Sequence, residues 1–439
     1  MMIGMFSSIN KLLENSVIKN TIYLSILKGT ELILPLLTFP YLVRVLGPDY
    51  FGLVAFSVAI NSYFILLTDY GFSLSATRKV SIERQNKNEI NNIYSSVMSI
   101  KFISLVLCFL VLLFSISIVP RLHEYSYIYL LSFGAVIGNV LFPVWLYQGF
   151  EQMRYITILN LLSKIFYLVL VFSLISKAED FWMVPVLNGG LSILFGFFAL
   201  LFATHRFGLT YSLPSKAMLT KTLKDGWHVF QSKLSINVYT SSTTVILGFF
   251  AGNAAVGFYS AGEKIVKATQ SLYAPFGQAI YPHVCKMMAE SKSSALALIR
   301  KVSIWVGLSM MMVSFSLFLS AEWLVQVLLG DNYYQSASVI KILSPLPFVV
   351  ALSNIYGIQT LLNIGYQKTF SLVLLMASIL GVLLSFPLVY LYSGLGSAIV
   401  VLSIEVFVTV AMVGCLLFYR VDAFPRLSNL LKRVPRRTQ

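Results

Sequence analysis

Long apolar runs alternate with short polar connections along almost the whole chain. A membrane-spanning helix needs about 20 apolar residues, and about twelve runs reach that length. They fall near residues 21–43, 51–72, 97–119, 126–148, 155–176, 181–204, 228–250, 255–283, 302–320, 336–363, 370–391 and 395–419. The pattern therefore predicts an all-α integral membrane protein with about twelve transmembrane helices.

The polar connection at 205–227 is long, contains Pro214 and divides six predicted spans from six. The first 20 residues differ from the rest, because Phe6, Ile9 and Leu13 recur near helical spacing with lysines between them, as in an interfacial amphipathic helix. The predicted organisation is an interfacial helix (1–20), an N-terminal six-helix lobe (21–208), a cytoplasmic link (209–227), a C-terminal six-helix lobe (228–420) and a basic cytoplasmic tail (421–439).

Composition excludes several classes of protein. Of the 439 residues, 57% are hydrophobic and 11% are charged, whereas soluble domains carry about 25% charge. The net charge of +15 is scattered among the apolar runs, so we expect no nucleic acid partner. The three cysteines lack metal-binding spacing, and no phosphate-loop motif occurs, so we expect no metal, no cofactor and no enzymatic activity.

The distribution of Lys and Arg predicts the orientation of the chain. With the N-terminus inside the cell, the cytoplasmic segments hold about 22 basic residues, and the opposite loops hold only Arg44, Arg121 and Lys177. Positive charge accumulates on the cytoplasmic side of membrane proteins. We therefore expect both termini in the cytoplasm.

Several charged residues fall inside predicted spans, where each charge costs about 2.5 to 3.5 kcal/mol. Lys28 and Glu31 share a helix face, with Pro35 one turn further, which is typical of a bent, polar helix lining a transport path. The alternative is a neutralised pair near the membrane surface. Lys264 and Lys267 also share a face, with Glu263 as their one nearby carboxylate, so this span needs an anion.

Lys233 precedes a hydroxyl-rich stretch in the seventh predicted span. Its hydroxyl groups either contact sugars or bond to their own helix backbone. The candidate sugar-contacting residues are Thr240, Ser241, Thr243 and Thr244.

Glu405 is almost central in the last span, with no basic residue within a helical turn. Such a carboxylate is either a packing residue or a proton-coupling site. Asp69, Lys101 and Lys164 lie near cytoplasmic helix ends and Lys341 near an outer end, so we expect these side chains to extend to the membrane surface. The candidates for ion coupling or for counter-ions are Glu31, Glu263, Glu405 and Asp69.

When the sequence is moved along itself by about 205 residues, matching residues suggest an internal duplication. The alternative is that glycines simply recur in the short turns between helices. The shift superimposes Lys28 on Lys233, Gly47 on Gly252, and Gly52 on Gly257. We therefore expect Lys28 and Lys233 to face each other across a cavity.

Two segments resemble the signatures of the polysaccharide transporter family. The first is PYLVRVLGPDYFG at 40–52, continued by TDYGF at 68–72 and by Thr77 and Arg78; the second is PVWLYQGFEQM at 143–153. Among family members the chain looks most like the O-antigen flippases of Gram-negative bacteria. Their superfamily includes multidrug and toxic compound exporters.

The resemblance implies two six-helix lobes around a central cavity that opens alternately to the two sides of the bacterial inner membrane. It implies a substrate of undecaprenyl diphosphate carrying one O-antigen repeat unit, moved from the cytoplasmic to the periplasmic leaflet. Membrane lipids, the O-antigen polymerase and the chain-length regulator are the other implied partners. Lysines are suitable ligands for a diphosphate, and the candidates are Lys28, Lys233, Lys264 and Lys267.

Other functions fit the residues less well. A multidrug exporter on the same fold would favour carboxylates for cationic drugs, and a peptidoglycan precursor flippase usually has two further spans. An O-antigen polymerase or ligase needs a long basic periplasmic loop, and a scaffold has no use for buried charges. An exporter of another lipid-linked oligosaccharide, for capsule or exopolysaccharide, stays open.

Overall fold

The computed structural model describes residues 16–424, with side chains described at residue 29 and from residue 34 onward, except at 239 and 279. The described residues form helices and no strand. Most of the expected interfacial helix and basic tail, and the side chains of Lys28 and Glu31, lie outside this described part. The all-α membrane fold is confirmed.

Contacts divide the chain into two units, residues 1–237 and 238–439, and the division falls inside one helix. The predicted lobe boundaries at 208 and 228 stay predictions. The helices of the first unit are α1 (Ser16–Asp69), α2 (Phe72–Ile82), α3 (Lys87–Ile118), α4 (Pro120–Glu124), α5 (Ser126–Ser132), α6 (Gly134–Leu141), α7 (Val144–Gly149), α8 (Met153–Leu174), a 3-10 helix (Ala178–Trp182), α9 (Met183–Phe207) and the first part of α10 (Lys216–Ala251).

The second unit begins within α10. Its further helices are α11 (Asn253–Gln270), a 3-10 turn (Ser271–Tyr273), α12 (Ala274–Glu290), α13 (Lys292–Leu319), α14 (Ala321–Leu324), a π-helix (Val325–Leu329), a 3-10 turn (Asp331–Tyr333), α15 (Gln335–Leu343), α16 (Leu346–Asn354), a π-helix (Ile355–Leu362) and α17 (Gln367–Phe418).

Two of these helices are long enough to cross a membrane twice, and each contains a break. In α1, Gly47 has φ 70° and ψ 174°, a conformation that glycine adopts at little cost, and Pro48 restarts the helix. In α17 the break lies at Ser393, with φ 52°. By length and hydropathy the described residues contain eight membrane-crossing helices, or nine if α10 is one bent span. The count of twelve stays a prediction.

Helix α3 shows how the apolar residues are used. Val97, Met98 and Leu112 are buried in the unit, whereas Val106 and Phe114 on the opposite face are exposed. An apolar exposed face of this kind is what the lipid hydrocarbon covers in a membrane.

Glycines allow α6 and α9 to pack backbone against backbone. A Cβ on Gly138 would lie 2.4 Å from the carbonyl carbon of Ser192, and a Cβ on Gly189 would lie 3.1 Å from the Cα of Gly134. This close approach of small residues is common between membrane helices. It fixes α6, whose Asn139 side chain lines the cavity described below.

Candidate functional site

The first part of α10 packs on the break between α1 and α2. Tyr70 and Gly71 form this break with positive φ values of 43° and 76°. The Tyr70 ring stacks on Phe230, with 4.6 Å between the ring centroids. A Cβ on Gly71 would lie 2.8 Å from the Cβ of Val229, so this position has room only for glycine. The break at Tyr70 and Gly71 therefore lets the first part of α10 pack closely against it.

Two ion pairs flank this aromatic contact. Lys79 Nζ lies 2.5 Å from Asp225 Oδ2, and Lys233 Nζ lies 2.8 Å from Asp69 Oδ2. The Lys233 ammonium also donates to Ser73 Oγ at 2.5 Å. The two residues on α10 are eight apart, which places them on one helix face.

The Lys233–Asp69 pair lines a cavity of about 340 Å³ within the first unit. Its other lining residues are Ser62, Ile65, Leu66, Ser73, Lys101, Asn139, Phe142, Val144, Trp145 and Asn237. The relative exposure of the charged side chains falls from 34% at Lys233 to 19% at Asp69. Lys101 is 2% exposed. Lys101 is therefore the deepest of the three charged groups.

Lys101 corrects one expectation from the sequence. We expected its side chain to extend to the membrane surface, but the ammonium is enclosed and donates to the backbone carbonyl of Asn139 at 3.3 Å. Its position on α3 places it opposite α6, so it points into the unit. Among the described residues, the cavity is thus lined by two lysines and one carboxylate.

Two of the lining residues also carry an enclosed polar atom that makes no hydrogen bond with the described residues. These atoms are the indole Nε1 of Trp145, a donor, and the amide Oδ1 of Asn139, an acceptor. Buried polar groups are nearly always hydrogen-bonded, so the two atoms are exceptions to the packing of this unit.

A second charged cluster lies on α11, within the second unit. Lys267 Nζ is 3.0 Å from Glu263 Oε1, and the buried Tyr259 hydroxyl donates to the same oxygen at 3.0 Å. Lys264 lies beside them and is exposed. These residues hold two positive charges and one negative charge, as the sequence pattern predicts.

Glu405 lies in α17 and is partly buried. Among the side chains that the structure describes, none forms a hydrogen bond or an ion pair with its carboxylate. Its role in ion coupling stays a prediction.

The hydroxyl stretch of α10 is mostly turned inward. Thr243 and Thr244 are buried at 1% and 7% exposure, whereas Thr240 and Ser241 are partly exposed. The Ser242 hydroxyl donates to the Val238 carbonyl, a bond within its own helix. In this conformation Thr243 and Thr244 offer little surface to a sugar, and the sugar-binding assignment of all four candidates stays a prediction.

The two sequence signatures meet in the first unit, where they join α2 to α7. The Thr77 hydroxyl donates to the Trp145 carbonyl at 3.1 Å, and Arg84 donates to the Gly149 carbonyl and to Glu151, each at 2.7 Å. This junction holds the backbone of Trp145, a residue that lines the cavity. Among the described residues, no group of acidic, cysteine or histidine side chains is arranged to hold a metal ion.

Comparison with known proteins identifies the family. The family model described as "Polysaccharide biosynthesis protein" matches residues 17–288. The chain belongs to this family. It is 35% identical over 394 residues to a protein of Escherichia coli (strain K12) named "Putative O-antigen transporter", covering 90% of this chain and 95% of that one. It is 29% identical over 399 residues to a protein of the same name from Shigella dysenteriae, covering 90% and 98%.

Solved structures of transporters share the fold. The lipid II flippase MurJ, in an inward closed conformation, is similar with a TM-score of 0.70 and 14% identity, covering 94% of this chain and 89% of that one. An inward-facing multidrug resistance MATE transporter is similar with a TM-score of 0.65 and 15% identity, covering 94% and 99%. At these identities the likeness shows the fold alone.

Proposed function

We propose that the protein is a flippase that moves undecaprenyl-diphosphate-linked O-antigen repeat units from the cytoplasmic to the periplasmic leaflet of the inner membrane. Its family and its relatives are those of polysaccharide transporters and not of enzymes. Movement follows alternating access, in which a site opens to one side at a time.

The observation that carries the proposal is that the enclosed Lys101 and the partly exposed Lys233 line one cavity in which, among the described residues, Asp69 is the one carboxylate. An uncompensated ammonium inside a membrane protein costs several kcal/mol, so its retention favours a use. A diphosphate carries at least two negative charges and is a fitting partner. Lys264 and Lys267, on α11 in the second unit, are further lysines suited to a diphosphate.

A multidrug exporter is the second candidate on this fold. Cationic drugs would be repelled by lysines of the first-unit cavity and of the charged cluster on α11. Exporters of other lipid-linked oligosaccharides share the required chemistry, so the test must identify the cargo.

The direct test is to remove the gene and to identify the lipid-linked species that accumulates. We expect undecaprenyl diphosphate carrying one complete repeat unit, trapped in the cytoplasmic leaflet, together with loss of surface O-antigen. Accumulation of a capsule or exopolysaccharide unit would redirect the proposal to that polymer. Normal surface polysaccharide with no accumulated intermediate would contradict it.

Orientation is part of the same proposal, with both termini in the cytoplasm. Reporter fusions at Glu124, Asp180 and Asp331 are expected to report a periplasmic location. Cytoplasmic reporter activity at any of the three would overturn the assignment. Physical association with the O-antigen polymerase and the chain-length regulator stays a prediction.

A further inference from the structure

The charged cluster on α11 includes a buried tyrosine that the sequence pattern did not single out. Tyr259 is fully buried, and its hydroxyl donates to Glu263 Oε1 at 3.0 Å. Lys267 Nζ lies 3.0 Å from the same oxygen. Residues four apart in a helix share a face, so the three side chains form a row along α11 with the carboxylate in the middle.

The two partners of Glu263 differ in their freedom to move. Tyr259 is enclosed and packs against α17, where a Cβ on Gly394 would lie 3.7 Å from the Tyr259 Cβ. The Lys267 side chain is 53% exposed and carries its ammonium on a flexible stem, whereas the Glu263 side chain is 13% exposed. The tyrosine hydroxyl is therefore a fixed donor to the carboxylate, and the ammonium is an exchangeable one.

An anion that approaches Lys267 meets the Glu263 carboxylate on the same ammonium. Close contact between the lysine and the anion therefore requires the ammonium to turn away from Glu263, which leaves a mostly buried carboxylate without its ion-pair partner. Such a charge is costly unless another group stabilises it. The Tyr259 hydroxyl keeps one hydrogen bond on the carboxylate, and hydrogen bonds to ionised groups are the strong ones. Without that hydroxyl, Glu263 would hold Lys267 more tightly.

We propose that Tyr259 is a positioning residue for the anionic substrate. Its hydroxyl anchors the Glu263 carboxylate, so that Lys267 can exchange between that carboxylate and the diphosphate of the transported lipid. The inference rests on the proposed function for its substrate class. Tyr259 acts through Glu263 and does not touch the substrate, because its side chain is enclosed.

The experiment measures binding of geranyl diphosphate to the purified full-length protein in detergent. Tyr259→Phe keeps the ring and removes the hydroxyl, Glu263→Gln removes the competing charge, and the double variant combines them. Tyr333→Phe is the matched control, because Tyr333 is equally buried and its ring lies 5.9 Å from that of Phe258 on α11. Thermal unfolding of each variant verifies that it is folded.

We expect Tyr259→Phe to bind geranyl diphosphate about tenfold more weakly than the wild type, as loss of one hydrogen bond to a charged group predicts. Glu263→Gln should bind at least as tightly as the wild type, since a neutral amide does not compete for Lys267. In the Glu263→Gln background, Tyr259→Phe should have no further effect. Tyr333→Phe should bind like the wild type.

Wild-type affinity in Tyr259→Phe would overturn the positioning role while leaving the diphosphate-transport function standing. The same weakening by Tyr259→Phe in the Glu263→Gln background would also overturn it, because the hydroxyl would then act by a route other than the carboxylate. If Tyr259→Phe does not fold, Glu263→Gln alone decides the question, and weaker binding than the wild type contradicts the inference. Failure of the wild-type protein to bind geranyl diphosphate would count against both proposals.

Discussion

The ammonium of Lys233 lies 2.8 Å from the carboxylate of Asp69, although 164 residues separate them in sequence. The pair joins α10 to the end of α1, beside the stacked rings of Tyr70 and Phe230. It also leaves Lys101, deeper in the same cavity, as the charge without a carboxylate of its own.

Asp69 and Lys233 should depend on each other for stability. Asp69→Asn leaves two lysines in one cavity, and we expect it to lower the free energy of unfolding by about 1 to 3 kcal/mol, between the values for exposed and buried pairs. Adding Lys233→Gln should recover part of this loss, as measured by thermal unfolding in detergent. The exposed Lys286–Glu290 pair is the control and should contribute little. If the losses of unfolding free energy in Asp69→Asn and in Lys233→Gln simply add in the double variant, the ion pair contributes no coupling free energy.

Lys101 should matter for transport and not for folding. Lys101→Met removes a buried charge and leaves the Lys233–Asp69 pair balanced, so the unfolding temperature should stay the same or rise. Surface polysaccharide should fall about tenfold at equal expression, because the cavity loses its deepest donor. Lys341→Met, at a partly exposed residue paired with the exposed Glu322, is the matched control. A large loss of stability in Lys101→Met would instead make Lys101 a structural residue.

Glu405 tests the coupling of transport to a proton gradient. Glu405→Gln keeps the shape of the side chain and removes its titration. If Glu405 couples transport to protons, this variant should export substrate without the wild-type dependence on the gradient, measured with and without a protonophore. An unchanged dependence would make Glu405 a packing residue.

Glu151 gives a pH-dependent prediction outside the membrane spans. The hydrogen bond from Arg84, and then its positive charge, lower the pKa of the Glu151 carboxyl below its ordinary value. A lowered folded-state pKa stabilises the fold above the unfolded value of about 4.3, and this contribution is lost as the pH falls through the folded value. The pair is about one-third to one-half exposed, so we expect less than about 1 kcal/mol.

The comparison is between wild type and Glu151→Gln in thermal unfolding from pH 7 down to pH 3. The wild-type advantage should be constant above about pH 5 and should disappear toward the acid end. A difference that does not vary with pH would assign the effect to something other than this carboxyl.

Much of the fold could be read from the sequence. The long apolar runs predict the all-α membrane class, and the spacing of Glu263, Lys264 and Lys267 predicts their shared helix face because both depend on residues close in the chain. The glycine and proline at 47 and 48 likewise mark the break in α1.

The cavity could not be predicted in the same way. Its charged groups come from α1, α3 and α10, and the depth of Lys101 depends on how α3 faces α6. A hydropathy profile does not distinguish Lys101 from Lys164, because each lies near the end of a predicted span. Trp145 belongs to a recognisable signature, but its unpaired indole N–H is a property of packing and leaves no trace in the sequence.

The most direct test of the account is transport by the purified protein in sealed lipid vesicles. A fluorescent undecaprenyl-diphosphate oligosaccharide is placed in one leaflet, and its movement is followed by quenching with a membrane-impermeant reductant. Lys233→Gln removes one lysine from the cavity of the first unit, and Lys267→Gln removes one from the charged cluster on α11. Lys286→Gln removes an exposed lysine and is the control. We expect transport by the wild type and by Lys286→Gln, with rates about tenfold lower for Lys233→Gln and for Lys267→Gln, and lower still for their combination. Wild-type rates in the combined Lys233→Gln and Lys267→Gln variant, at equal reconstitution, would contradict the claim that these lysines carry the anionic substrate.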